Sequence, residues 1–361
     1  MSSEHETKQQ AINRNLQNPI HCPKCSSKLI VKKGIRKNKF QSLQQYQCRE
    51  CRYIFTINKS RNTTYPITTI LKAISIYNLG HTLQQTKEKL NLQATLPAIS
   101  SWLSKYKEIC TFARLRKQAI KLYKPKNIIF KKPLKHQQVY LFQTHKAKLE
   151  LLFREEQNKK FLPIKEYLSK IPTEKFPHHI FSKELLAERG IELKLNSNEQ
   201  RISQLKLETL PAIKTEKHNQ ANNLAELALL TASENKQRHK SIQNFMLIND
   251  STTIAAEVPV YLTNDDINYF KARNFSINLQ NHRTPIIGHI DLLQIRNGSI
   301  SILDYKPNAN KTEAVQQLTL YALALASRTK LALRNFKCAW FDEDNYYEFF
   351  PLHVVYKKKD K

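Results

Sequence analysis

Residues 288–321 read GHIDLLQIRNGSISILDYKPNANKTEAVQQLTLY, and the rest of the chain is best understood from this stretch. Two runs rich in β-forming residues, 286–295 and 299–306, flank Asn297-Gly298, the dipeptide that favours a tight hairpin turn. Asp291 lies on the first run, and the second ends in Asp304-Tyr305-Lys306. Side chains alternate along a strand, so Asp304 and Lys306 share one face, continuing the row of Ile300 and Ile302. A carboxylate and an ammonium therefore meet where an apolar face ends, with a second carboxylate on the neighbouring strand. A helical run follows, in which Gln317 and Tyr321, four residues apart, share one side.

Upstream, 222–240 reads as one long helix, and 245–248 and 252–262 read as strands, the second carrying Glu257 in Ala-Ala-Glu-Val-Pro-Val. Downstream come a helix over about 312–327 and a last strand over about 336–341. Helix, strands, helix and strand make an α/β layer fold with a short mixed central sheet. Hard oxygen ligands, a positioned water and charge neutralisation are what phosphodiester hydrolysis requires. Asp291, Asp304 and Lys306 have the chemistry to meet those needs.

Charge points to the same class of partner. The 361 residues carry a formal net charge of +29, and residues 1–160 hold 32 Lys and Arg against 8 Asp and Glu. A bias concentrated in this way favours a phosphate backbone, whose neutralisation releases counterions. No apolar run of about 18 residues and no signal-peptide core is present, so a soluble cytoplasmic protein without membrane attachment is expected.

Six cysteines fall into two classes. Cys22-Pro-Lys-Cys25 and Cys48-Arg-Glu-Cys51 form a matched pair of C-x2-C knuckles, whereas Cys110 and Cys338 stand alone in apolar settings. Four thiolates at this spacing suit tetrahedral Zn2+ in a structural role, folding a unit too small to fold unaided. Lys32, Lys33, Arg36 and Lys37 lie between the knuckles and give the unit a basic surface for nucleic acid. From Pro66 the pattern turns helical, with a stop at Asn78-Leu79-Gly80-His81, an N-cap at Thr82, and a third helix from about Pro97 through Trp102. Three short helices around a glycine turn suit a helix-turn-helix, with Ser100, Ser101 and Lys105 available on the last helix. An ordinary three-helix bundle fits the same pattern. Residues 117–160 carry a proline-interrupted lysine run that reads as a linker tracking phosphate or as a solvated connector. Helical patterns follow at 147–156, 164–171 and 182–189, and 196–220 reads as a polar loop.

A zinc ribbon followed by a helix-turn-helix resembles the N-terminal DNA-binding part of insertion-sequence transposases, over roughly residues 20–116. The order Glu-Val-Pro-Val, Gly-His-Ile-Asp, Ile-Leu-Asp-Tyr-Lys-Pro, Gln-Leu-Thr-Leu-Tyr resembles the PD-(D/E)XK nuclease superfamily over about 220–345. It is most similar to the RecB-type branch, with its G-x-[IV]-D, D-Y-K and Q-x-x-x-Y pattern. That resemblance implies that Asp291 and Asp304 ligate Mg2+ or Mn2+. Lys306 would activate the attacking water or stabilise the transition state, and Gln317 and Tyr321 would orient Lys306 or the phosphate. Glu257 would be a second ligand or a supporting group. The family's first core helix also donates a Glu or His, for which Glu226 and His239 both qualify.

The expected architecture is thus multidomain: a zinc ribbon (18–60), a helix-turn-helix (64–116), a basic linker and helical region of unknown role (117–220), and a restriction-endonuclease-like α/β core (221–356). That core is expected to act as an independent module. The expected function is metal-dependent cleavage of DNA, with a homodimer by analogy with two-strand cleavage. A transposon-associated or regulatory DNA-binding protein, or an RNA-directed nuclease, are the alternative readings.

Overall fold

The computed structural model describes residues 20–37, 40, 42–56, 64–182, 201–205, 207–232, 237–279 and 285–356. The chain divides into two compact units, residues 1–70 and 71–361. In the first, strands β1 (Ile30–Lys37), β2 (Ser42–Cys48) and β3 (Ile54–Thr56) form an antiparallel sheet in the order β1-β2-β3. Tyr46 and Phe55 stack across β2 and β3 and give this small unit an apolar contact.

A helix α1 (Ile67–Asn78) runs from the first unit into the second. It is followed by α2 (Leu83–Lys89), α3 (Leu96–Tyr106) and α4 (Ala113–Leu122). Thr82 caps α2 in a reciprocal capping box with Gln85, as its position before the apolar run predicts. Gly80 ends α1 at φ +102°, a backbone setting that side chains with a Cβ rarely adopt. These helices are joined to the rest of their unit by buried polar contacts. The Asn78 amide donates to Asn249 Oδ1 at 2.8 Å, and the Asn249 amide donates to Ser75 Oγ. Arg116 donates to the carbonyls of Tyr77 and His81.

The centre of the second unit is a sheet of eight strands. Its members are β4 (Ile129–His136), β5 (Gln138–His145), β6 (Thr215–Glu216), β7 (Thr253–Leu262), β8 (Ile286–Arg296), β9 (Ser299–Tyr305), β10 (Phe336–Phe341) and β11 (Tyr346–Phe349). They lie in the order β4-β5-β7-β8-β9-β10-β11-β6. All neighbours are antiparallel except β9 and β10. The helices are α5 (Lys146–Leu151), α6 (Leu162–Lys170), α7 (Gln220–Leu229), α8 (Arg238–Asn249), α9 (Asn264–Lys271), α10 (Val315–Thr329) and α11 (Pro351–Val355). The β8–β9 turn is tight, with Asn297 at φ 50° and Gly298 at φ 66°, the pair of left-handed residues an Asn-Gly hairpin requires. α10 is buried along nearly its whole length, which explains its apolar composition on every side.

Three expectations are corrected here. The sheet is wider than the short one expected, because residues 129–145, read as a linker, form a hairpin that joins it beside β7. The lysines and Pro133 hid the alternation, and both are usual in an edge strand, which β4 is. Residues 245–248 belong to α8 and not to a strand, since an apolar run of four does not separate the two without tertiary contacts. The long helix expected over 222–240 is instead two described helices, α7 ending at Leu229 and α8 beginning at Arg238. The helix expected over 182–189 falls almost wholly outside the described residues, as does the first part of the 196–220 loop.

Candidate active site and cysteine cluster

Register brings three acidic residues into one row. β7 and β8 pair with Ala256 opposite Leu292 and Val258 opposite Ile290, which sets Glu257 across from Asp291. β8 and β9 pair with Leu292 opposite Leu303, so the next step sets Asp291 across from Asp304. Residues directly opposite in antiparallel strands present their side chains on one face. Glu257 stands in the left-handed region at φ 53°, an unfavourable setting for a non-glycine residue inside a strand. Such settings persist where the surroundings over-determine them, most often at functional sites.

Two bases enter the row. Lys306 Nζ lies 2.8 Å from Asp304 Oδ2, and His239 Nδ1 lies 3.4 Å from Asp291 Oδ2. The Asp304 side chain is 5% exposed, that of Asp291 19% and that of Lys306 25%, so the acids are sunk while the amine reaches the opening. His239 and Gln243 are one turn apart on α8, and Gln243 donates to Glu257 Oε1 at 2.7 Å. One helix face therefore holds two of the three acids. Of the two candidates on the first core helices, His239 is the one brought to Asp291; Glu226 sits half-buried on α7. Gln243 was not singled out from the sequence because its helix was read as part strand; its spacing from His239 is the signal that would have found it.

α10 supplies the expected pair: Gln317 donates to the Tyr321 hydroxyl at 3.0 Å. Tyr321 lies over Gly288, where a β-carbon would stand 2.5 Å from its ring. Burial, followed by the charges of Asp304, Asp291 and Glu257, drives the Tyr321 hydroxyl to hold its proton far above the ordinary phenol range, with Gln317 opposing.

The acids do not share charge evenly. Burial and the charge of Asp291 push Glu257 up to about 8, against the hydrogen bond from Gln243. Burial and Asp291 raise Asp304 well above the carboxylate range, with Lys306 opposing. For Asp291 burial also pushes upward, but contacts from His239, Asp304 and Lys306 outweigh it and hold the group below its usual value. The row thus favours its charge on Asp291 over the two flanking carboxyls, as closely spaced carboxylates do without a cation. Oδ2 of Asp291 and Oδ2 of Asp304 are buried, and beyond the contacts of His239 and Lys306 neither has a hydrogen-bond partner among the described residues. Hard carboxylate oxygens left in this state fit a divalent cation. Only the cysteine cluster gathers three or more ligating side chains within 4.8 Å among the described residues. The acidic row is therefore suited to a cation that keeps several water or phosphate oxygens, as Mg2+ does.

The family model of the PD-(D/E)XK nuclease superfamily matches residues 145–348, more than half of the chain. The chain belongs to the PD-(D/E)XK nuclease superfamily. No curated protein and no solved structure gives a significant match to it. The PD-(D/E)XK match begins at the end of β5, well before the 221 boundary expected from sequence, and it takes in every acid of the row. Nuclease activity is the activity of that superfamily, whose members typically use Mg2+ or Mn2+.

The first unit holds the four cysteines together: Cys22 and Cys51 sulfurs are 3.4 Å apart, and those of Cys25 and Cys48 are 3.6 Å apart. Tetrahedral zinc with Zn–S bonds of about 2.3 Å needs sulfurs roughly 3.8 Å apart, so the cluster is compatible with Zn2+ at the cost of small shifts. The backbone N–H of Cys51, with that of Glu50, pulls the Cys48 thiol down to about 6, while against the backbone of Ser27 the Cys25 thiol is pushed up to about 12 by Cys51 and burial. Lys32, Lys33, Arg36 and Lys37 lie exposed on β1. Ser100, Ser101 and Lys105 lie exposed on α3. Cys110 and Cys338 are both buried, Cys338 within the apolar core. Among the described residues no helix is long and apolar enough to cross a membrane.

Proposed function

We propose that this chain is a metal-dependent nuclease that hydrolyses the phosphodiester bonds of DNA. The observation that carries this reading is the row Glu257–Asp291–Asp304 with Lys306 at its mouth. Asp291 and Asp304 would hold Mg2+ or Mn2+, which when bound neutralises phosphate charge and makes a coordinated water more acidic. Lys306 lies beside Asp304 and partly open to solvent, where it would meet a phosphate oxygen or the attacking water. It positions that water and offsets the charge that builds on the phosphate. Glu257, steadied by Gln243, supports the cation's outer ligands, and His239 keeps Asp291 ionised and aimed. Gln317 and Tyr321 fix the wall against which the substrate phosphate rests.

The remaining parts bring nucleic acid to this centre. The four cysteines hold a structural Zn2+, and the exposed cations of β1 and the exposed face of α3, within a helix-turn-helix, contact the DNA backbone. The concentration of positive charge in residues 1–160 supports this assignment.

A cleavage assay on single- and double-stranded DNA and RNA, with Mg2+ or Mn2+ and with Asp304→Ala as control, tests the reading. Cleavage of DNA that needs the cation and disappears in the control is expected. A folded protein that binds DNA but cuts none of the four substrates would leave a binding protein, and preference for RNA would reassign the substrate.

A further inference from the structure

Beside α8, outside the acidic row, lies a partly open cavity of about 270 Å³. Its polar lining is unusual in kind. Gln143 of β5 is 2% exposed, and its Oε1 is buried without a hydrogen-bond partner among the described residues. Asn244 of α8 adds a second carboxamide, half-buried, and Ile129 and Leu247 supply apolar walls. Lys131 stands opposite Gln143 in the β4–β5 register, so the two project from the same face. Lys131 and Lys126 are both exposed and stand at the mouth. An orphaned buried acceptor is costly unless a ligand donor satisfies it. A ligand suited to this lining is flat and apolar on its faces, carries an amino donor at its edge, and bears an anion at its other end.

We propose that this cavity binds one nucleotide unit, its base edge against Gln143 and Asn244 and its phosphate against Lys126 and Lys131. The proposal rests on the nucleic-acid reading of the chain but concerns a place outside the acidic row. The unit is either a residue of the bound strand or a free mononucleotide, and both present the same chemistry. Adenine, cytosine and guanine carry an exocyclic amine to meet Gln143 Oε1, and thymine does not.

The test uses the full chain loaded with zinc and without Mg2+ or Mn2+, so that binding is read in the absence of cleavage. AMP, CMP, GMP and TMP are titrated calorimetrically. A labelled single strand carrying one abasic position, walked along its length, is titrated by anisotropy. A free-nucleotide site gives binding of the amino-bearing nucleotides about tenfold tighter than TMP, the worth of one buried hydrogen bond. A strand subsite gives an affinity loss of similar size at one abasic position. Either preference is expected to vanish in Gln143→Leu, whereas Lys131→Ala, which alters an exposed residue and keeps the fold should the buried change disturb it, is expected to lower the affinity of all four nucleotides and of the strand alike. The proposal is overturned if neither titration distinguishes the wild type from both variants. Because no arm reads cleavage, a chain that binds nucleotides here but never cuts would fail the nuclease reading alone.

Discussion

Gly288 and Tyr321 are in contact so close that a β-carbon on the glycine would stand 2.5 Å from Cε1 of the tyrosine. Ile202 closes the same space at 3.2 Å, so the ring has little room to retreat. Gly288→Ala is therefore expected to displace Tyr321 and, through β8, Asp291. A cost of about 1–3 kcal/mol in urea unfolding is expected, the usual range for overpacking, together with a fall in cleavage rate. Wild-type stability and rate in the variant would refute the contact.

Lys306 reads as a transition-state group and not as a cation ligand. Lys306→Met is expected to lower cleavage by roughly 10²–10⁴-fold. Removing an ammonium that lies 2.8 Å from Asp304 Oδ2 also removes a competitor for the cation. Calorimetric Mn2+ affinity is thus expected to hold or rise, and a loss of affinity parallel to the loss of rate would contradict the assignment.

The raised carboxyls make stability depend on pH in a definite direction. Glu257 is held at about 8, and Asp304 is also raised by burial and Asp291. Between the ordinary carboxyl range and about pH 8 the folded chain binds more protons than the unfolded one, so these groups lose stability as pH rises. A divalent cation displaces those protons and so stabilises more strongly at higher pH. The rise in melting temperature on adding Mg2+ is expected to be larger at pH 8 than at pH 6; equal rises would show that the row does not take up the cation.

The cysteine cluster is expected to bind one zinc per chain, measured by elemental analysis, and Cys48→Ser to lose it. Hydrogen exchange is then expected to quicken over residues 20–56, while amides of β7 and β8 stay protected. Loss of protection in those central strands would contradict the division into two compact units.

The 221–356 segment, expected to act as an independent module, packs against chain that lies outside it. Phe142 of β5 is fully buried and belongs to the same apolar core as Ile254 and Ile290. Asn249 of α8 is bonded to both Asn78 and Ser75. A fragment of residues 71–361 is expected to unfold cooperatively by circular dichroism, and one of residues 221–361, with the β7 edge stripped, is not. A cooperative transition in the shorter fragment would restore the modular picture.

The sequence alone determined the hairpin, its Asn-Gly turn, the last strand at 336–341 and the placing of Asp304 beside Lys306, because each depends on local turn chemistry or a period of two. The pairing of the knuckle cysteines was legible for a similar reason, since their spacing is itself the signal. Only the tertiary structure brought His239 and not Glu226 to Asp291, set Glu257 opposite Asp291, and placed Gln243 against Glu257 and Gly288 against Tyr321. Those facts come from register and from approach between elements distant in the chain, which no local pattern encodes. It also moved residues 129–145 into the sheet: a strand whose edge is lysine-rich looks like a linker until its neighbour is known.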